Sequence, residues 1–121
     1  MIGSGLPDGG PQKGKVMDII VINCTVPNKK IAKDITKVLM KHKLAACVSL
    51  IDNVRSTFSW DGEVCEEKEF LMLIKTRRAH YGKVKLVIED MHPYTVPEII
   101  ALPIVDCSED YLKWLVKETE S

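Results

Sequence analysis

Between residues 17 and 26 the chain reads MDIIVINCTV, a nearly unbroken apolar run rich in Ile and Val, the pattern of a strand buried on both faces. Pro27 and Asn28 break it. Ile31, Ala32, Ile35, Val38 and Leu39 then recur at the spacing of one helix face. Lys29, Lys30, Lys33, Lys37 and Lys41 fall largely outside that stripe and read as the solvated back of a helix on a sheet, rather than as an anion site. From residue 44 to 76 the helical spacing gives way to β-branched and aromatic residues in partial alternation, with Asp61-Gly62 between the two halves as a hairpin signal. Asp52-Asn53 interrupts the first arm, either as a bulge or as a true loop that would shorten both arms. Tyr81, Val84, Ile88 and Met91 give a second helix, which His92-Pro93 must end because the residue before proline is pushed out of the α region. PEIIALPIV, 97 to 105, reads as a last strand, and its Pro103 belongs at a sheet edge or a bulge because it has no N–H to donate. Ser108 caps a final helix with Tyr111, Leu112, Leu115 and Val116 on its apolar face and Glu109 and Asp110 at its positive end.

The order β-α-β-β-α-β followed by a helix predicts an α+β fold of the ferredoxin-like, split βαβ type. Its hairpin is long for such a domain. Arms of about 15 residues span on the order of 50 Å at about 3.3 Å per residue, whereas the first helix covers only about 22 Å at 1.5 Å per residue. Much of the ribbon must then protrude, carrying Val54, Phe58, Trp60 and Val64 with it, and a two-stranded ribbon with open edges is marginal alone. Other subunits are the expected cover.

Composition narrows the partners. The chain has 121 residues, 45% hydrophobic and 28% charged, enough for one domain and its core. Its 17 basic and 17 acidic residues cancel, which removes the broad positive field that non-specific nucleic-acid or membrane-surface binding needs. Residues 1–16 are Gly- and Pro-rich and lack the apolar run of a secretory signal, so they read as a flexible leader or a cloning remnant ahead of a single domain over 17–121. No stretch approaches the roughly 18 apolar residues of a membrane-spanning helix, and the expectation is a cytoplasmic protein. Cys24, Cys47, Cys65 and Cys107 show no CxxC and no paired zinc spacing, so they read as separate thiols. Cys47, inside LAACV, suggests packing, and Cys65 beside Glu66 and Glu67 suggests a thiolate disfavoured by like charge. Asp61, Glu63, Glu66, Glu67 and Glu69 could attract cations, but the plainer reading is a soluble hairpin tip.

Enzymatic chemistry finds no foothold. There is no phosphate-cradling Gly loop and no nucleophile with an evident base and orienting group. RNA recognition on this plan needs stacking aromatics that IIVINC lacks.

LAACVSLI, S-x-F-x-W-D-G-E, LMLIKT, HPYTVPEIIALPI and the closing YLKWL together resemble the CutA divalent-cation tolerance proteins, over about residues 18 to 119. The resemblance implies a ferredoxin-like subunit in a compact homotrimer built through extended strands, similar in architecture to the PII signalling proteins. It also implies weak binding of copper or another divalent cation. By resemblance the ligands are Cys24, at the end of the first strand, and His92, which matches the second of a histidine pair in family members proposed to bind copper, with Met91 standing where the first would be. A thioether there suits Cu(I) better than Cu(II) or Zn(II).

The expected topology is consistent with such a site, since the first strand and the second helix both run toward one end of the sheet. Cys24 and His92, with Glu98 and the hairpin turn, would share that end. Each has a plainer reading: Cys24 as a small buried apolar residue, His92 as a surface histidine that ends a helix. A second functional reading is a PII-like regulator binding a small metabolite or a partner protein in clefts between subunits, with Tyr94, Trp60 and Glu98 as cleft residues and packing as the alternative role for Tyr94 and Trp60.

Overall fold

The computed structural model describes residues 18–120, so the leader assigned to 1–16 lies outside the described residues. A four-stranded antiparallel sheet, three helices and one 3-10 turn make up the described residues. In order they are β1 (Ile19–Val26), α1 (Lys29–Lys41), β2 (Cys47–Trp60), β3 (Glu63–Arg77), the 3-10 turn (Arg78–His80), α2 (Tyr81–Met91), β4 (Ile100–Pro103) and α3 (Glu109–Glu118). The sheet order is β2-β3-β1-β4.

Local chemistry sets most boundaries. The Asn28 side chain accepts from the Ile31 N–H and starts α1, and Ser108 accepts from the Tyr111 N–H and starts α3. His92 ends α2 in an extended conformation, φ −85° and ψ 135°, as Pro93 requires. Asp61 and Gly62, at φ 51° and 78°, make the two-residue turn between β2 and β3. Positive φ at both central positions matches the right-handed twist of the strands, and the Asp-Gly pair tolerates it.

The Asp52-Asn53 interruption is a bulge: the β2–β3 register slips between Ile51 and Val54, and Asn53 takes φ 65°. Both arms therefore remain long, with 14 residues in β2 and 15 in β3. β1 pairs with β3 only from Phe70 to Arg77. Beyond Phe70 the hairpin continues as a two-stranded ribbon, with Val54 opposite Glu69 and Trp60 opposite Glu63.

β4 is shorter than the 97–105 expected and covers four residues. Pro97 and Pro103 have no N–H for a ladder, and Pro103 closes β4 at the sheet edge beside β1.

The expectation that β1 is buried on both faces is corrected. Ile20, Ile22, Cys24 and Val26 are buried, but the alternating Val21, Asn23 and Thr25 are only half-buried. The first set packs with Ala32, Ile35 and Leu39 of α1, Met72 and Ile74 of β3, and Val84 and Ile88 of α2 into the main core. On the other face, Leu112 and Leu115 of α3 form a small cluster with Ile19 and Ala46, against which Ile104, Cys107 and Val116 pack. Among the described residues no other element covers that face, because one ten-residue helix, about 15 Å long, cannot span four strands. Asn23 alternates onto this face, and its Oδ1 is a buried acceptor with no hydrogen-bond donor among the described residues.

Candidate functional site

β1 and α2 both end at the same edge of the core, and their last residues meet on one carbonyl. Cys24 occupies the inward face of β1 opposite Met72 and is fully buried. His92, one residue past α2, is 8% exposed. Its Nε2 stands 2.8 Å from the carbonyl oxygen of Thr25, and its Nδ1 accepts the Tyr94 N–H at 3.1 Å. With Nδ1 accepting, Nε2 carries the proton and donates, which assigns a neutral ring of one tautomer. The Cys24 thiol also points to the Thr25 carbonyl, at 3.8 Å.

Electrostatics keep that thiol protonated. Burial first, then the carboxylates of Glu98 and Glu69, push the Cys24 thiol from about 9 up to about 12. The same carboxylates give this end a negative field, which favours a cation. Glu69 is buried and accepts a hydrogen bond from the Tyr94 hydroxyl at 2.7 Å. The Tyr94 ring lies 4.6 Å from the His92 ring, tilted by 53°. Burial, followed by the Glu69 hydrogen bond, raises the Tyr94 hydroxyl above its usual range. Glu98 is exposed as a residue, but partial desolvation of its carboxyl and the nearby Glu69 raise it too.

Met91 closes α2, half-buried, and packs against the main core. Trp60 stands 47% exposed at the far end of the ribbon, where it pairs with Glu63. No hydrogen bond or ring contact joins it to Tyr94 or Glu98 among the described residues. Phe58 and Val64 are 40% and 77% exposed on the same ribbon, and Val54 is half-buried at its base. Cys47 lies half-buried at the start of β2, with the Lys75 ammonium 3.8 Å from its sulfur.

Sequence reasoning missed two members of the cluster. Glu69 is not part of a solvated tip: it sits just past the last β1–β3 pair, under the segment that carries Tyr94. Nothing in the hydrophobic pattern marks it, because its cover arrives from 25 residues away. The Thr25 carbonyl has no sequence signal at all.

Could these groups hold a metal? Among the described residues no three His, Cys, Asp or Glu side chains converge as a ligand set. A cation would have to displace a proton from Cys24 and take from His92 one of its two hydrogen bonds, a loss of about 1–3 kcal/mol if the partner stays buried and unpaired. The donor types fit a soft cation, and the resting geometry does not preassemble them.

The fold and this end of the sheet define a small α+β protein with a buried thiol–imidazole–carboxylate cluster and a protruding ribbon. The family model described as "CutA1 divalent ion tolerance protein" matches residues 20–118. The divalent-cation tolerance protein CutA of Thermus thermophilus is 43% identical over 99 residues, covering 82% of this chain and 96% of that protein. Protein CutA, chloroplastic, of Arabidopsis thaliana is 36% identical over 110 residues, covering 91% of this chain and 60% of that longer protein. The solved structure of the periplasmic divalent cation tolerance protein CutA from Archaeoglobus fulgidus superposes with a TM-score of 0.82 at 35% identity, covering 84% of this chain and 99% of that one. The chain belongs to the CutA1 divalent ion tolerance family. Its relatives are described from different compartments, and no helix among the described residues is long and apolar enough to cross a membrane.

Proposed function

We propose that this protein is a non-catalytic, metal-responsive member of its family. Ferredoxin-like subunits form a cytoplasmic homotrimer and take up copper or another soft cation weakly at the Cys24–His92 end. One observation carries the metal reading: the thiol of Cys24 and the ring of His92 approach the same carbonyl, that of Thr25, in a field made negative by Glu69 and Glu98. The relatives' names as divalent-cation tolerance proteins point the same way. Weakness follows from the cost of deprotonating Cys24 and freeing His92. Met91, packed at the end of α2, is the nearest thioether in sequence and would favour Cu(I) over Cu(II).

Titration of Cu(I) and of Cu(II) into the wild type and a Cys24→Ala, His92→Ala double variant tests the site. The expected outcome is one weak site per chain, lost in the double variant. Equal binding by both proteins would remove it.

The trimer is supported by apolar surface that a single chain leaves uncovered. Phe58, Trp60 and Val64 stand out on the ribbon, and Ile51, Ile100 and Leu102 are 44%, 51% and 45% exposed on the strands. Exposed large apolar side chains grouped on a protruding ribbon and a sheet face mark surfaces that a partner covers.

A further inference from the structure

On the helical side, away from the open sheet face, α1 and α2 leave a groove of about 440 Å³ between them. Val38, Leu44, Leu86 and Val87 give it an apolar lining, and His42 and Lys83 supply its polar groups. Leu86 is 65% exposed, an unusual cost for a large side chain on a helix that buries Val84 and Ile88. Among the described residues no acidic side chain lines the groove. Lys41 in the last turn of α1 and Lys43 just beyond add to the positive charge at this end, and among the described residues neither they nor Lys83 is ion-paired.

We propose that this groove binds a medium-chain carboxylate, its chain against Val38, Leu44, Leu86 and Val87 and its headgroup on Lys83 and His42. The lining matches each part of such a ligand. Four apolar side chains favour a hydrocarbon body, and the Lys83 ammonium with an imidazole N–H of His42 offers donors for two carboxylate oxygens. Among the described lining residues Lys83 is the one ammonium, so a carboxylate finds a single direct ion-pair partner there. Size decides against a protein partner, since six lining residues fall well short of the about 20 to 30 residues a side of a stable protein interface. The volume lies at the lower end of the about 300–1,000 Å³ of small-molecule clefts. Ile51, Ile100 and Leu102 alternate onto the other face of the sheet, so an assembly through that face would leave the groove accessible.

Calorimetric titration of the full chain with decanoate below its micellar concentration tests the assignment, with decanol as the uncharged control. Decanoate should saturate at one equivalent per chain. Lys83→Gln should weaken it about tenfold, the scale of one lost charge-assisted hydrogen bond, and decanol should bind correspondingly less tightly. Leu86→Asp should abolish saturable binding. Both positions are exposed, so both variants should keep the wild-type melting temperature. The Cys24→Ala, His92→Ala protein should bind decanoate like the wild type, which separates this site from the metal reading. Equal affinity for decanoate and decanol, indifference to both substitutions, or binding only to vesicles of anionic phospholipid would each overturn the proposal.

Discussion

Cys24 shows how one atom's surroundings reach the stability of the whole chain. Its thiol is pushed from about 9 to about 12, chiefly by burial and then by Glu98 and Glu69, so the folded chain holds this proton more tightly than the unfolded chain does. A group of this kind contributes stability in full below the unfolded value near 9, and that contribution is lost as pH rises toward 12. A shift of that size corresponds to on the order of 4 kcal/mol, at about 1.4 kcal/mol per unit. Urea unfolding at pH 8 and at pH 11.5 should therefore reveal a steeper alkaline loss in the wild type than in Cys24→Ala. The variant will start from a lower baseline because of the cavity it leaves. Parallel curves would mean the thiol titrates as it does in the unfolded chain. The sequence allowed two readings of Cys24, packing or ligand, and the structure gives it a packed position next to functional groups. Glu69 went unrecognised because its burial is made by Tyr94, which periodicity along β3 does not register.

At the scale of elements, α3 is the helix most dependent on a few bonds. Its apolar face is narrow: Leu112 and Leu115 are buried, while Tyr111 and Trp114 are exposed and pack against each other with ring centroids 5.4 Å apart and planes tilted by 46°. Arg77, the last residue of β3, compensates at the C-terminal end. Its guanidinium donates to the hydroxyl of Thr119 at 2.8 Å and to the carbonyl of Val116, two groups at the negative end of the helix. Arg77→Met should cost about 1.5–3 kcal/mol, the range for bonds to a charged donor. Hydrogen exchange over 109–118 should speed up before the rest of the sheet does. An unchanged exchange profile would mean that Leu112 and Leu115 hold the helix unaided. The caps at Asn28 and Ser108, the Asp-Gly turn and the stop at His92 were all legible in the sequence, because each depends on chemistry within about four residues. β4 was overestimated because the apolar pattern of 97–105 continues through positions where proline cannot join a ladder.

For the whole molecule, the ribbon past Phe70 is the feature to explain. It exposes Phe58 and Trp60, and each side chain of that size is worth roughly 1.5–3 kcal/mol when buried. The proposed trimer covers that surface. Phe58→Asp should convert it to dissociated or unfolded chains, readable by light scattering coupled to size-exclusion chromatography at micromolar concentration. Retention of the full assembly mass would place the contact elsewhere, with the open sheet face around Val21 and Leu102 as the next surface to probe. Trp60 stands at the ribbon tip, and among the described residues no hydrogen bond or ring contact joins it to the cluster that holds Tyr94.

By itself the sequence determined the element order, the turn and the helix ends, since these follow from spacing, caps and the backbone limits of proline and glycine acting over a few residues, while the choice between a bulge and a loop at Asp52-Asn53 was left to the β2–β3 register. It also located Cys24 and His92 at one end of the sheet, because alternation of direction between successive elements fixes which ends coincide. Only the tertiary structure decided that both ring nitrogens of His92 are already bonded, that Glu69 is buried, that β1 has one open face and that a basic-rimmed groove runs between α1 and α2. Those are products of distance and solvent exclusion among residues far apart in the chain, and no local pattern encodes them.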